Sequence, residues 1–376
     1  MEPSIYSFSL CTALPLMLFF GFYFLFAKTP EKKIFKNYLR SRQIMGIAML
    51  LLSANYSVHF FFGIRFKNAD SAILMNMSTY FLCYSLFSSA LIMLLDRFYI
   101  TKWRVWTHII LWIIFSTFSG VVLFLLPSGI MQKFSLFALA VWLVVFGVVL
   151  ARRVIIAYRR AIRIFNETQA DDIGTYIEWL SIFTYWAVIF GVGCGLLTFL
   201  PDKYVFIWIL SSIPFYSYLF YSYQNYLLFY EQVENAFEQD IQSEEELLTD
   251  TETEPEIVSE KEVPVSYTEI IEKVANWIKT DGYVQQGLTI KELSKILYTN
   301  RTYLSAYIKT TYKMTFREWI TSLRLEYAKN ILKEHPEINI QKLAESSGFL
   351  SQSNFIKLFS EKEGCTPAKW KKSNRE

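Results

Sequence analysis

Chemistry-bearing residues are scarce in this 376-residue chain. Its four cysteines, Cys11, Cys83, Cys194 and Cys365, are scattered without CxxC or finger spacing, so neither a disulfide framework nor a zinc site is implied. The three histidines, His59, His108 and His335, fall in three different regions and give no HExxH and no metal triad. The long apolar runs contain no acidic pair. Asp70, Asp96 and Asp202 all sit at run ends, which leaves proton-coupled transport and intramembrane aspartyl proteolysis without obvious equipment. The run Tyr204–Tyr230 has no lysine, so no retinal Schiff base can form there. No catalytic residue, metal or cofactor is expected, and the chain does not read as an enzyme.

Apolar and aromatic residues are abundant: 53% hydrophobic and 18% aromatic, with a mean hydropathy of +0.26. The formal net charge of +3 hides a segregation. Residues 1–230 carry 18 Lys/Arg against 9 Asp/Glu, residues 231–262 carry one lysine against 13 acids, and residues 263–376 carry 18 against 12. Three charge characters imply three segments with different tasks.

The first segment reads as membrane. A spanning helix needs about twenty mostly apolar residues. Seven runs qualify: Ile5–Ala27, Gln43–Ile64, Ser71–Leu95, Ile109–Leu126, Phe134–Ala151, Leu180–Leu200 and Tyr204–Tyr230. The first is too long, and its flank too poor in positive charge, for a cleaved signal peptide. Loops 28–42, 96–108 and 152–179 carry six, three and five Lys/Arg, whereas the alternate loops carry two, one and one. Positive loops stay inside, so the N-terminus is expected outside and everything after Tyr230 in the cytoplasm. Within the spans, Asn55 and His59 share a face of the second and Asn76 lies in the third. Two readings stand open: a ligand pocket opening outward, or interhelical hydrogen bonding.

Residues 231–264 read as an acidic flexible linker, with Glu244-Glu245-Glu246 and Thr249-Asp250-Thr251-Glu252 unable to bury a core. Val233, Ala236, Phe237 and Ile241 keep helical spacing, which allows the last span to continue or a short dimerising coil to form.

Residues 265–376 carry two helix-turn-helix patterns. In the first, Thr289 and Glu292 form a T-x-x-E capping box, Leu293 and Leu297 bury one face, and Asn300 caps a second helix anchored by Leu304 and Ile308. A long amphipathic helix follows, about Thr315 to Lys333. In the second pattern Ile340, Leu343 and Ala344 brace, Gly348 turns the chain, Ser351 caps, and Phe355 and Phe359 anchor. The predicted fold class is therefore all-α: a seven-transmembrane-helix bundle followed by a cytoplasmic all-helical domain, with two helix-turn-helix motifs joined by a linker helix. Outward-facing polar positions are Arg301, Thr302, Ser305, Ala306 and Lys309 in the first motif and Gln352, Ser353, Asn354 and Lys357 in the second.

Leu304-Ser305, the run Arg324 to Ala328, Leu332, Ile340, Leu343-Ala344, Gly348-Phe349, Ser351-Gln352-Ser353, Phe355, Phe359 and Gly364-Cys365-Thr366-Pro367 resemble the AraC/XylS family of bacterial transcription regulators in identity and spacing, over about Ile270–Lys372. The resemblance implies two reading helices in successive major grooves. Positions matching the family's base readers are Thr302, Ser305 and Ala306, then Gln352, Ser353 and Lys357. Ser294, Ala306 and Ser360 depart from the residues frequent there, and Ala306 leaves the first module the weaker reader. Gln352 suits adenine, and Lys357 suits guanine or phosphate.

The implied function is a membrane-anchored, one-component transcription regulator in a bacterial cytoplasmic membrane. The implied partners are double-stranded promoter DNA, the lipid bilayer, RNA polymerase, a second copy of the chain, and a small-molecule or protein signal that the sequence does not name. The alternative is a membrane transporter or enzyme with an autoregulatory DNA-binding tail.

Overall fold

The computed structural model describes residues 3–127, 129–197, 204–249 and 266–373. Their helices run, in order, α1 (Pro3–Phe26), α2 (Lys36–Phe62), the single turn α3 (Ile64–Lys67), α4 (Ala69–Met93), α5 (Lys102–Phe124), α6 (Ile130–Thr168), α7 (Glu178–Leu197), α8 (Val205–Thr249), α9 (Ser266–Lys279), α10 (Ile290–Ile296), α11 (Arg301–Tyr312), α12 (Phe316–Glu334), α13 (Ile340–Ser346), α14 (Gln352–Glu363) and α15 (Pro367–Ser373). Among the described residues there is no strand, only one isolated antiparallel bridge between Gln169 and Thr289. The all-α expectation holds.

The chain divides into two compact units: residues 1–160 with 176–231, and residues 161–175 with 232–376. Helices α6 and α8 contribute residues to both. Among the described residues of the N-terminal unit, seven long helices stand where seven spans were expected. Six of them, among the described residues, carry stretches long and apolar enough to cross a membrane; α4 does not. The reason lies in its position. Helix α4 packs against α2 on one side and α5 on another, and it buries Ser85 and Ser88 along with its apolar residues. A helix enclosed by neighbours needs less apolar exterior.

One expected element end differs from the structure, and one allowed continuation is realised. Helix α6 continues past Ala151 to Thr168, and α8 continues past Tyr230 to Thr249. Neither extension contains glycine or proline, and both keep a helical apolar stripe. Val154, Ala161 and Phe165 are buried on the first, and Val233, Ala236 and Phe237 on the second. Residues 231–249 of the expected flexible linker are thus helical; the rest of it, and the expected loop Pro201–Lys203, lie outside the described residues.

Packing in this unit rests on close helix approach and stacked rings. A Cβ at Gly46 would lie 2.9 Å from Leu25 Cγ and 3.1 Å from the Gly21 carbonyl oxygen, so α1 and α2 meet where neither has a side chain. Phe81 stacks between Phe115 (4.6 Å) and Phe146 (4.0 Å), tying α4 to α5 and α6. We expect Gly46→Val to overpack the α1–α2 seam at a cost of about 1–3 kcal/mol. Gly120→Val, whose Cβ meets nothing within 4 Å, serves as control. Thermal unfolding of the detergent-solubilised chain checks the contrast: Gly46→Val melts lower and Gly120→Val does not.

Candidate nucleic-acid interface

The C-terminal unit is built from capped short helices. The Thr289 hydroxyl accepts from the Glu292 amide (3.1 Å) while the Glu292 carboxylate accepts from the Thr289 amide (3.0 Å), closing the capping box that starts α10. Thr315 and Glu318 repeat the device at α12. The Asn300 side chain accepts from the Tyr303 amide (2.8 Å) at α11, and Ser351 accepts from the Asn354 amide (3.1 Å) at α14. Each cap satisfies an amide that the first helical turn leaves without a partner.

Two apolar clusters follow. The first joins Val274 and Trp277 of α9, Ile290 and Leu293 of α10, Leu304 and Ile308 of α11, and Phe316, Trp319 and Ile320 of α12. The second joins Leu325, Ala328 and Leu332 of α12 to Leu343 and Ala344 of α13 and Phe355 and Phe359 of α14. Helix α12 is therefore common to both modules: its first half closes one core and its second half the other. At the boundary sits Arg324, almost wholly buried. Its Nε donates to the Tyr283 carbonyl (2.8 Å), Nη2 to the Gln285 carbonyl (2.7 Å) and Nη1 to Asp171 Oδ1 (2.7 Å). Burial, first of all, and the hydrogen bond to Asp281 push the Tyr283 phenol pKa up.

The two inter-helix turns share one backbone solution. The Thr299 amide donates to the Ser294 carbonyl, and the Phe349 amide to the Ala344 carbonyl, both at 2.9 Å. The residue before each donor takes a left-handed conformation: Tyr298 at φ 50° and Gly348 at φ 83°. Tyr298 is exposed. Gly348 is enclosed, and a Cβ there would strike the Val284 carbonyl oxygen and lie 2.9 Å from Arg324 Nε.

These turns set two helices with outward polar faces. On α11, Thr302, Ala306 and Lys309 are exposed along one stripe, with Arg301 and Ser305 half-buried beside them. On α14, Gln352, Ser353 and Lys357 are exposed, and Asn354 is half-buried at the cap. The two sets stand on separate helices of one unit, joined through α12. Lys309 is engaged: its Nζ lies 3.0 Å from Glu167 Oε1.

Glu167 was missed by the sequence reading, as were Asp171, Asp172 and the roles of Arg317 and Arg324. Residues 152–179 attracted attention for five arginines, and nothing in the pattern links their acids to helices some 150 residues later. The one signal was the acidic cluster itself, Glu167 with Asp171-Asp172, in an otherwise basic loop.

The other candidate site lies in the N-terminal unit. Asn76 Oδ1 accepts from Asn55 Nδ2 (2.7 Å) and lies 2.8 Å from His59 Nε2, while Tyr6 reaches His59 Nδ1 at 3.1 Å. The structure brings all three named residues together in hydrogen bonds among α1, α2 and α4. None of them lines the cavity bordered by Tyr56, Tyr84, Ser88, Phe183, Trp208 and Ser212.

Residues 293–373 match the family described as helix-turn-helix domain. This part of the chain is a helix-turn-helix domain. It is similar to YtdP, an uncharacterized HTH-type transcriptional regulator of Bacillus subtilis (strain 168), with 32% identity over 91 residues, 24% of this chain and 12% of that protein. It is also similar to YijO, an uncharacterized HTH-type transcriptional regulator of Escherichia coli (strain K12), with 25% identity over 27% of this chain and 35% of that protein. The Msm operon regulatory protein of Streptococcus mutans (serotype c) is 26% identical over 30% of this chain and 42% of its own length. In each case the likeness spans less than half of the relative. No solved structure matches the chain.

The two turns predict opposite responses. Gly348→Ala forces an L side chain into the left-handed region against a carbonyl, at a cost of at least about 2 kcal/mol. Tyr298→Gly relieves the same strain in open space and changes stability by less than about 1 kcal/mol, in the favourable direction. Amide hydrogen exchange in the full chain checks both: Gly348→Ala speeds exchange in α13 and α14, and Tyr298→Gly does not speed it in α10 and α11.

Proposed function

We propose that this chain is a membrane-anchored, one-component transcription regulator of the AraC/XylS type, which binds promoter DNA through α11 and α14. The observation that carries this reading is the joining, in one chain, of a tandem helix-turn-helix domain to a unit of long apolar helices. Two reading helices with polar outer faces share one bracing helix, the arrangement needed to enter successive major grooves.

The N-terminal unit supports the membrane half of the proposal by its surface. Phe8, Phe26, Phe61, Trp103, Phe124 and Ile130 are all exposed. Exposed apolar surface is costly in water, at about 25 cal/mol per Å², and costs nothing in hydrocarbon. Loop charges support an inward-facing C-terminus. The domain's excess of Lys/Arg supplies the phosphate-driven part of binding, and α14 supplies most of the base reading through Gln352 and Lys357. RNA polymerase, a second copy of the chain and an inducing signal complete the proposed set of partners.

The test is promoter footprinting with the full chain in membranes. Gln352→Ala and Lys357→Ala are expected to lose the specific footprint while inserting normally, each costing about 1–3 kcal/mol in discrimination if it reads a base. If Lys357 instead contacts phosphate, its loss lowers the salt slope by about one. Retained footprints in both variants refute the assignment. A reporter fused after residue 262 reads cytoplasmic on this topology; an external reading refutes it.

A further inference from the structure

Residues 161–175 belong with the helix-turn-helix domain although about a hundred residues separate them from it. The contacts are extensive. Asp171 Oδ1 accepts from Arg324 Nη1 (2.7 Å) and Oδ2 from the Gly287 amide (2.7 Å). The Ala170 amide donates to the Leu288 carbonyl (2.9 Å), next to the bridge between Gln169 and Thr289, and Ala170 enters the first apolar cluster. Asp172 pairs with Arg317 at 2.8 Å, and Asn166 Oδ1 accepts from the same guanidinium at 3.0 Å. Glu167 holds Lys309. Phe165 packs on Phe237 of α8, ring centroids 4.8 Å apart.

Three cations of the domain thus face one acidic strap. Arg324 and Arg317 are partnered at depth and serve docking. Lys309 differs: it is half-exposed, on the outward stripe of α11 with Thr302 and Ala306, where a phosphate-binding cation is wanted. A carboxylate on its ammonium group does what a DNA phosphate would do there. One lysine cannot serve both at full strength.

We infer that the face formed by Arg324, Arg317, Lys309 and residues 287–289 is an intramolecular receptor for the acidic strap 165–172, and that the strap competes with DNA phosphate for Lys309. The inference rests on the reading of this domain as a DNA binder and adds its regulation. Because the strap continues α6, displacement of that helix end is the input, and release of Lys309 is the output. A ligand of the N-terminal unit would act by preferring one of the two states.

The experiment uses the full chain in nanodiscs and a short DNA duplex of arbitrary sequence, so that phosphate contacts alone are read. Glu167→Gln is expected to tighten binding roughly three- to tenfold and to steepen the salt slope by about one. Lys309→Ala is expected to weaken binding more in the Glu167→Gln background than in the wild type and to abolish the gain from Glu167→Gln. A gain that survives Lys309→Ala would come from general charge and would overturn the competition. So would a Lys309→Ala variant that is equally damaging in both backgrounds. Docking is read separately with Gln169→Cys and Thr289→Cys, which oppose each other across the bridge. Ready oxidation to a disulfide, with weaker duplex binding until it is reduced, supports the strap. A folded chain that does not crosslink, or a crosslinked chain that binds as tightly as the reduced one, overturns it. If the disulfide forms but neither wild type nor any variant binds a duplex, the DNA-binding reading fails and the dock stands.

Discussion

Arg324 is where the C-terminal unit is held together. A guanidinium that is almost wholly buried gives up its hydration, and only a full set of acceptors offsets that loss. The structure supplies two backbone carbonyls from the turn between α9 and α10 and one carboxylate, all within 2.8 Å. The Phe349 ring lies 5.9 Å from the guanidinium carbon, on the side of the second module. A guanidinium spreads its donors over three nitrogens in a fixed plane, so it reaches partners further apart than the single ammonium nitrogen of lysine can. The first module, the second module and the strap are thus each specified by one residue of α12, and Gly348 has no side chain because this junction fills the space.

Around that junction the two helix-turn-helix modules solve the same turn under different constraints. In the second, the turn is pressed against the Val284 carbonyl and Arg324, and only glycine satisfies both the backbone angle and the space. In the first, the turn faces solvent, so only the angle constrains it, and Tyr298 tolerates a mild strain. The modules therefore differ in rigidity of support as well as in outward chemistry. The better-braced turn precedes the helix with Gln352 and Lys357.

How far the sequence disclosed this depended on the range of the interaction. The capping box at Thr289 and the caps at Asn300 and Ser351 are contacts over three residues and follow from local pattern, while the equally local box at Thr315 was missed. The apolar stripes of α10 to α14 are periodic and were legible too. The end of α6 was misjudged because hydropathy marks where a helix becomes polar, not where it stops, whereas the continuation of α8 was legible in the spacing of Val233, Ala236 and Phe237 and runs on to Thr249. Helix α4 shows the converse: its length matched a span, but enclosure by neighbours dilutes the apolar signal. The partnership of Arg324 with Asp171, 153 residues apart, has no local signature at all. Arg324 was visible only as part of a family pattern, and its reason became visible only in three dimensions.

The loop 152–179 shows why such contacts hide. Its charges serve two purposes that a simple count merges. Arg152, Arg153, Arg159, Arg160 and Arg163 precede the acids and, on the proposed topology, follow the end of a span, where positive charge fixes orientation. Glu167, Asp171 and Asp172 follow them and are taken up by Lys309, Arg324 and Arg317. Orientation rules give carboxylates little weight, so these three drop out of that reckoning. In the domain's own reckoning they count most, since all three pair with cations of the helix-turn-helix unit. On the proposed topology and function, the order along the chain, cations first and anions second, lets one short segment face a membrane at one end and a DNA-binding domain at the other.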